Sequence, residues 1–236
     1  MSESSPRKTA IDAAEITDWV FDLDNTLYPR HCDLFGQIDI KMTAYVSRLT
    51  GLAHDAARML QKELYRDHGT TLNGLMAQYH IDPHHYLADV HDIDYSVIEP
   101  DPGLGEAIAA LPGRKHVFTN GDVPHARKTL AAIGIPEATF HSIFDIVASD
   151  FAPKPQRLPY DRFISAHAIE PDRAVMFEDM PRNLATAKEL GMTTVLVMPK
   201  PGREHRAEYW EIAGHEDPHV DHLTDDIGEF LASLLR

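Results

Sequence analysis

Four short apolar runs in this chain each stop on residues that carry chemistry, and that repetition restricts the folds open to it. Trp19-Val20-Phe21 runs into Asp22 and Asp24. Val117-Phe118 runs into Thr119-Asn120-Gly121, and Ile146-Val147-Ala148 leads to Lys154, set between Pro153 and Pro155. Ala174-Val175-Met176-Phe177 runs into Glu178-Asp179. Runs of this length, bounded by turn residues, read as buried strands, and the stretches between them have helical spacing. Strands alternating with helices imply an α/β fold with a doubly wound, mostly parallel, Rossmann-like sheet. In such a sheet the strand C-termini share one edge, where ligands bind. Four chemically active strand ends would therefore meet in one crevice.

Each piece has an ordinary reading as well. Asp22 and Asp24 lie two apart, so at the end of a strand they point to the same side. They would converge on one cation or one phosphoryl group, or else be two solvated turn aspartates. Buried and unpaired they would be costly, which calls for a metal, a cationic partner or a shared proton. A Thr119 hydroxyl followed by free N–H groups makes an oxyanion cradle, or a plain strand-to-turn transition. Lys154 cannot sit inside a helix between two prolines. It is either a point charge for phosphate or a solvated lysine. Glu178 and Asp179 at a helix start also suit the helix dipole. Their order decides: carboxylates for a divalent cation, with Thr and Lys for an anion, make a phosphoryl-transfer site.

The chain resembles the haloacid dehalogenase superfamily of phosphohydrolases. Its four motifs match Asp22-Leu23-Asp24-Asn25-Thr26, Thr119-Asn120, Lys154 and Glu178-Asp179, in order over most of the chain. Leu27-Tyr28-Pro29 and the segment Tyr65 to Leu75 resemble the pyrimidine 5′-nucleotidase branch more closely. The resemblance implies that Asp22 is the nucleophile, forming an aspartyl-phosphate, and that Asp24 is the general acid and base. It implies Mg²⁺ held by an Asp22 oxygen, the Asp24 backbone carbonyl and Asp179, with Glu178 acting through water. Thr119, the Asn120 backbone N–H and Lys154 would stabilise the phosphoryl oxygens. Repulsion between the two aspartates is expected to raise the pKa of Asp24 and help it hold a proton. Dehalogenase members, by the same resemblance, lack an acid at the Asp24 position and use no metal.

The activity implied is Mg²⁺-dependent hydrolysis of a small phosphorylated metabolite, with a nucleoside 5′-monophosphate as the expected substrate. The alternatives are a phosphoglycolate or sugar-phosphate phosphatase, a phosphomutase, or a non-catalytic regulator with this fold. A two-component receiver would carry its phosphorylated Asp after the acidic pair, the reverse of the order here. No G-x-x-x-x-G-K-[ST] motif is present, which disfavours an NTPase.

Composition narrows the partners. With a net charge of −15 and no basic stripe, nucleic acid is not expected. No run approaches the roughly 18 apolar residues of a membrane span, and the polar start of the chain lacks a signal core. A single cysteine, Cys32, allows no intrachain disulfide and suits a reducing, cytoplasmic setting. Oligomeric state stays open, a homo-oligomer included. His215-Glu216-Asp217-Pro218-His219 spells a zinc motif, but Gly214 and Pro218 oppose the helix it needs. His80, His84 and His85, interrupted by Pro83, read as a solvated loop.

Residues 1–15 read as a loose tail. Residues 16–28 and 101–236 read as the α/β core, and residues 29–100, helical throughout and too long for a loop, as an inserted cap. Its first helix carries a stripe of Phe35, Ile38, Met42, Val46 and Leu49 and ends at Gly51.

Overall fold

The computed structural model describes residues 10–200 and 217–236. Alternate residues of a strand face opposite sides, and β1 (Asp18–Phe21) is buried along its whole length, so both of its faces must be covered. Trp19 and Phe21 point into one cluster with Val117, Val175, Phe177 and Val195. Val20 points into the other with Phe118, Met176 and Leu196. The first cluster is closed by α5 (Pro102–Ala110), α6 (Val123–Ile133) and α9 (Ile227–Leu234). The second is closed by α7 (Arg157–His167) and α8 (Pro181–Leu190).

The strands β2 (Arg114–Phe118), β3 (Ser142–Phe144), β4 (Ala174–Glu178), β5 (Thr193–Val197) and β6 (His222–Thr224) join β1 in one sheet of order β3-β2-β1-β4-β5-β6. Every pairing is parallel. This is the doubly wound order expected of a dinucleotide-type fold, with its switch point between β1 and β4.

Between β1 and β2 the chain forms α1 (Leu34–Thr50), α2 (His54–His68), α3 (Thr71–Tyr79) and α4 (Pro83–Val90). These helices share an apolar centre formed by Ile38, Val46, Leu64, Leu75, Tyr86 and Leu87, among others, which Ile146 from the core also joins.

Local structure departs from the sequence reading in four places. The run Ile146-Val147-Ala148 is not a strand: β3 stops at Phe144, because Asp145 bonds the N–H groups of Val123 and Ala148 and turns the chain. Strand β6, too short and polar to stand out, pairs as an edge beside β5. On α1, Phe35 and Leu49 are exposed, while Leu34 and Tyr45 take buried places. That helix packs chiefly against α2 and α4, while Leu34 at its start reaches the first core cluster. Ile11 and Ala13, expected in a loose tail, pack against the first cluster. No helix among the described residues is long and apolar enough to cross a membrane.

At the end of the sheet away from the strand C-termini, buried Asp18 accepts from His116 Nε2 at 2.9 Å and from the Arg114 guanidinium at 2.8 and 3.0 Å. Burial opposes its ionisation, but these bonds and that of Thr17 outweigh it and hold its pKa below the usual value. A carboxylate with a lowered folded pKa contributes stability that is present above its unfolded pKa, near 4, and lost as pH falls through the folded value. Asp18→Asn should therefore lower stability by about 2 kcal/mol at pH 7 and flatten the loss below pH 4. Urea titrations at pH 7 and pH 3 measure both; an unchanged pH 7 midpoint would contradict this account.

Candidate active site

In-register pairing sets the site. Phe21 pairs with Val117 on one side and with Phe177 on the other, so the residues that follow leave the sheet at one level. Asp22, donating its N–H to Phe177 O at 2.9 Å, comes out beside Glu178 and Asp179. Carboxylate oxygens of Asp22, Glu178 and Asp179 all lie within 4.8 Å of one another, and all three residues are buried. The cluster straddles the switch point of the sheet.

Lys154 is the counter-charge. Its Nζ donates to Asp22 Oδ1 at 2.7 Å, Glu178 Oε2 at 2.7 Å and Phe118 O at 2.9 Å. An ammonium has three donors, and all three are engaged inside the protein. Contact between Lys154 and a phosphoryl oxygen thus requires exchange of one of these bonds. The Asn120 side chain holds the lysine's backbone: Oδ1 accepts from Lys154 N at 2.8 Å and Nδ2 donates to Lys154 O at 3.3 Å. Thr119 Oγ1 accepts from Gly121 N at 2.9 Å, which leaves its own proton to donate.

Four further contacts hold these acids, of which Arg30 and His125 had no signal in the sequence, while Thr26 and Tyr28 lie in or just after the first motif. Thr26 donates to Asp22 Oδ2 at 2.9 Å. Arg30, on a 3-10 turn (Arg30–Cys32), reaches Asp179 Oδ2 at 2.6 Å. Tyr28 and His125 both donate to Asp24 Oδ1, at 2.6 and 2.8 Å.

The electrostatics correct one expectation. Burial, with Glu178 beside it, pushes Asp22 up to about 7 against the pull of Lys154. Burial also raises Asp179 well above the usual carboxylate range, despite Arg30. Lys154 is raised too, because its two carboxylate partners outweigh its own burial. Asp24, expected to rise, falls instead to about 2: burial is outweighed by the charge and hydrogen bond of His125 and by the Tyr28 hydroxyl. Repulsion within the pair thus acts on the aspartate in the acidic cluster, because the other has partners of its own. Three carboxylates facing Lys154 and Arg30 leave an excess of negative charge among oxygen-only donors. Such a set suits a hard divalent cation such as Mg²⁺.

A cavity of about 150 Å³ opens over these groups. Asp22, Asp24, Thr119, Asn120, Lys154, Glu178 and Asp179 line it from the sheet, and Phe35, Lys62, Tyr65, Thr70 and Thr71 from the inserted helices. Thr70 also caps α3 by accepting from Asn73 N, and Thr71 donates to Gln61 O. Gly74 is a packing glycine, since a Cβ there would lie 2.6 Å from Leu64 Cβ. Across the gap, Arg182 stacks on the Tyr65 ring, 5.0 Å from its centroid, and bonds its hydroxyl. The Arg182 Nε and Asn183 Oδ1 atoms are buried without a hydrogen-bond partner among the described residues. The histidines set aside above stay apart from the site: His80 caps α3 and His84 lies against Phe151. His215 and Glu216 lie outside the described residues.

Comparison with known proteins agrees with this architecture. The sequence pattern of the haloacid dehalogenase-like hydrolases matches residues 20–191. A phosphoglycolate phosphatase of Rhodospirillum rubrum is 31% identical over 113 residues, which cover 47% of this chain and 45% of that relative. The chain therefore aligns with less than half the length of that protein. Among solved structures, a HAD phosphatase from Thermococcus onnurineus superposes with a TM-score of 0.59 at 19% identity, covering 93% of this chain and 98% of that one. An L-2-haloacid dehalogenase from Xanthobacter autotrophicus superposes with a TM-score of 0.55 at 14% identity, over 93% and 98% of the two chains. At such identities the likeness is one of fold.

Removing the counter-charge should be felt before any chemistry. Lys154→Met strands Asp22 and Glu178 without a cation, a loss of about 3–5 kcal/mol for a buried pair. Carboxyls whose folded pKa is raised destabilise increasingly as pH climbs above about 4. The deficit should therefore be small at pH 5 and large at pH 8 in denaturant titrations; equal deficits at both would contradict the arrangement.

Proposed function

The chain belongs to the haloacid dehalogenase-like hydrolases, and we propose that it is a magnesium-dependent phosphomonoesterase working through a phosphorylated Asp22. The observation that carries this reading is the separation of its acids. Asp22, Glu178 and Asp179 form one buried cluster, while Asp24, two residues on, is held apart by Tyr28 and His125. A dehalogenase has no use for the second acid.

In this reading Asp22, Asp179 and the Asp24 carbonyl would hold Mg²⁺, with Glu178 acting through water. The ion, when bound, offsets charge on the phosphoryl oxygens and on the acids. An Asp22 oxygen attacks phosphorus while the bond to the leaving oxygen breaks, and Asp24 gives that oxygen a proton. Asp24, ionised in the empty site, takes up that proton from solvent or from the phosphate monoanion as the substrate binds, because the incoming phosphoryl charge raises its affinity for it. Water then attacks phosphorus, its proton passes to Asp24, and the bond to Asp22 breaks. Thr119, the Asn120 N–H and Lys154 steady the phosphoryl oxygens.

Substrate size separates the two leaving groups considered. A cavity of about 150 Å³ is below the roughly 300 Å³ at which ligand pockets usually begin. A phosphoryl group on a short chain fits within it, whereas a nucleoside would extend beyond it. Arg182, with its unpartnered Nε, offers a cationic donor for an acidic leaving group. The partial match to a phosphoglycolate phosphatase points the same way. A short phosphorylated acid is thus the reading the site supports best, with a nucleoside 5′-monophosphate second.

A panel of phosphoglycolate, UMP, CMP and AMP tests both levels. EDTA should abolish hydrolysis and Mg²⁺ restore it; full activity in EDTA would sink the metal assignment. Phosphoglycolate should show the highest kcat/KM, and a nucleotide ranking first would reverse the substrate reading. Asp22→Asn should lower kcat by about 10⁴-fold or more, as loss of a covalent nucleophile does elsewhere.

A further inference from the structure

A second buried polar cluster lies behind Asp24, and the proposed chemistry leaves it without a role. Asp24 lines the cavity, and its side chain is 17% exposed. Its Oδ1 accepts from both Tyr28 OH and His125 Nε2. Its Oδ2 has no hydrogen-bond partner among the described residues, and it would lie 3.8 Å from a Cβ built on Gly121. One oxygen is anchored by two donors, so the carboxylate cannot turn without breaking them, and the other oxygen is left for a ligand.

The anchor is itself held from several directions. His125 is wholly buried. Its Nδ1 lies 2.9 Å from Tyr95 OH, whose hydroxyl also reaches His91 O at 3.1 Å. The His125 ring stacks on that of His91, with centroids 4.3 Å apart and planes 14° apart. His91 Nδ1 lies 3.0 Å from Asp122 Oδ1. Asp122 in turn caps α6 by accepting from His125 N at 3.0 Å. These residues come from different parts of the chain. Tyr28 opens the first connection to the inserted helices, His91 and Tyr95 lie on the second, and His125 and Asp122 belong to the core. Both connections therefore end on the groups that grip Asp24.

We propose that His125, together with Tyr28, is a positioning residue that holds the Asp24 carboxylate in the orientation needed for proton exchange with the leaving oxygen. The proposal rests on Asp24 serving as the acid and base of a phosphomonoesterase. A group placed this way acts only through its partner. Its removal lets the carboxylate drift, and a misplacement of about 1 Å lowers turnover by roughly 10²-fold. Substrate binding through the phosphate is not touched, so the loss falls on kcat while KM changes little.

The test is a mutant cycle read with two leaving groups, a nitrophenyl phosphate and an alkyl phosphate such as glycerol 2-phosphate. His125→Leu removes the donor, Tyr28→Phe removes one hydroxyl, and His125→Gln restores a donor. Asp24→Asn removes the acid. Both His125→Leu and Tyr28→Phe should slow the alkyl ester more than the nitrophenyl ester, whose leaving oxygen needs little proton assistance. Added to Asp24→Asn, each should lower kcat by no more than about twofold further. His125→Gln should recover part of the loss. Equal penalties on both esters, or penalties that multiply in full with that of Asp24→Asn, would overturn the positioning role and leave a packing role. Tyr28→Phe deletes one atom and carries the same cycle if His125→Leu fails to fold. A wild-type chain inactive on both esters would overturn the phosphomonoesterase reading itself, which an active wild type with a multiplicative cycle would not.

Discussion

The Lys154 ammonium, set between Asp22 and Glu178 with three bonds of 2.7–2.9 Å, is the interaction on which this site depends. Three carboxylates at the ends of adjacent parallel strands could not share a buried crevice without a positive charge among them. The fold supplies that charge from a loop. Lys154 follows the turn after β3, and its backbone is fixed by the Asn120 amide at the end of β2. Four strand ends are thereby tied to one ammonium. Arg30 contributes a second positive charge, on Asp179, and the remaining excess of carboxylates underlies the proposed Mg²⁺ site.

Two aspartates separated by one residue have been given opposite environments. Asp22 leaves the strand into the acidic cluster, where burial and Glu178 raise its pKa to about 7. Asn25, just beyond Asp24, adopts a left-handed conformation at φ 60°, which asparagine tolerates better than most residues. The chain turns there, and Asp24 meets Tyr28 and His125 rather than Lys154. Environments that push two carboxyls apart are how one site assigns distinct tasks to identical side chains. Here the separation is produced by a tight turn and by an imidazole delivered from α6.

The inserted helices bear on the site in two ways. Their shared apolar centre makes them a packed unit rather than a loop, so Tyr65, Thr70 and Thr71 face the cavity from a stable surface. Their two connections carry Tyr28, His91 and Tyr95 into the cluster behind Asp24. The same segment therefore lines the cavity and reaches Asp24, the residue proposed to protonate the leaving group.

Strand and helix order, the parallel sheet and the convergence of Asp22, Thr119, Lys154, Glu178 and Asp179 were legible in the chain itself. Short apolar runs bounded by turn residues suit buried strands, and parallel strands covered on both faces place their ends together; of the four runs, only Ile146-Val147-Ala148 lies beyond its strand. The contacts that set protonation were not legible. His125 lies 101 positions from Asp24 and Arg30 lies 149 from Asp179, and neither belongs to a motif with characteristic spacing. The pKa of Asp24 was expected to rise from the one neighbour visible in sequence, Asp22. It falls because a distant imidazole and a tyrosine hydroxyl donate to its oxygen, and the charge and hydrogen bonds they bring outweigh its burial. Local sequence determines which groups arrive at the strand ends, since side-chain alternation and strand length are local properties. Which group faces which, and so which acid is charged, is decided only when the tertiary structure brings remote segments within hydrogen-bonding distance, because electrostatic environment depends on proximity in space and not along the chain.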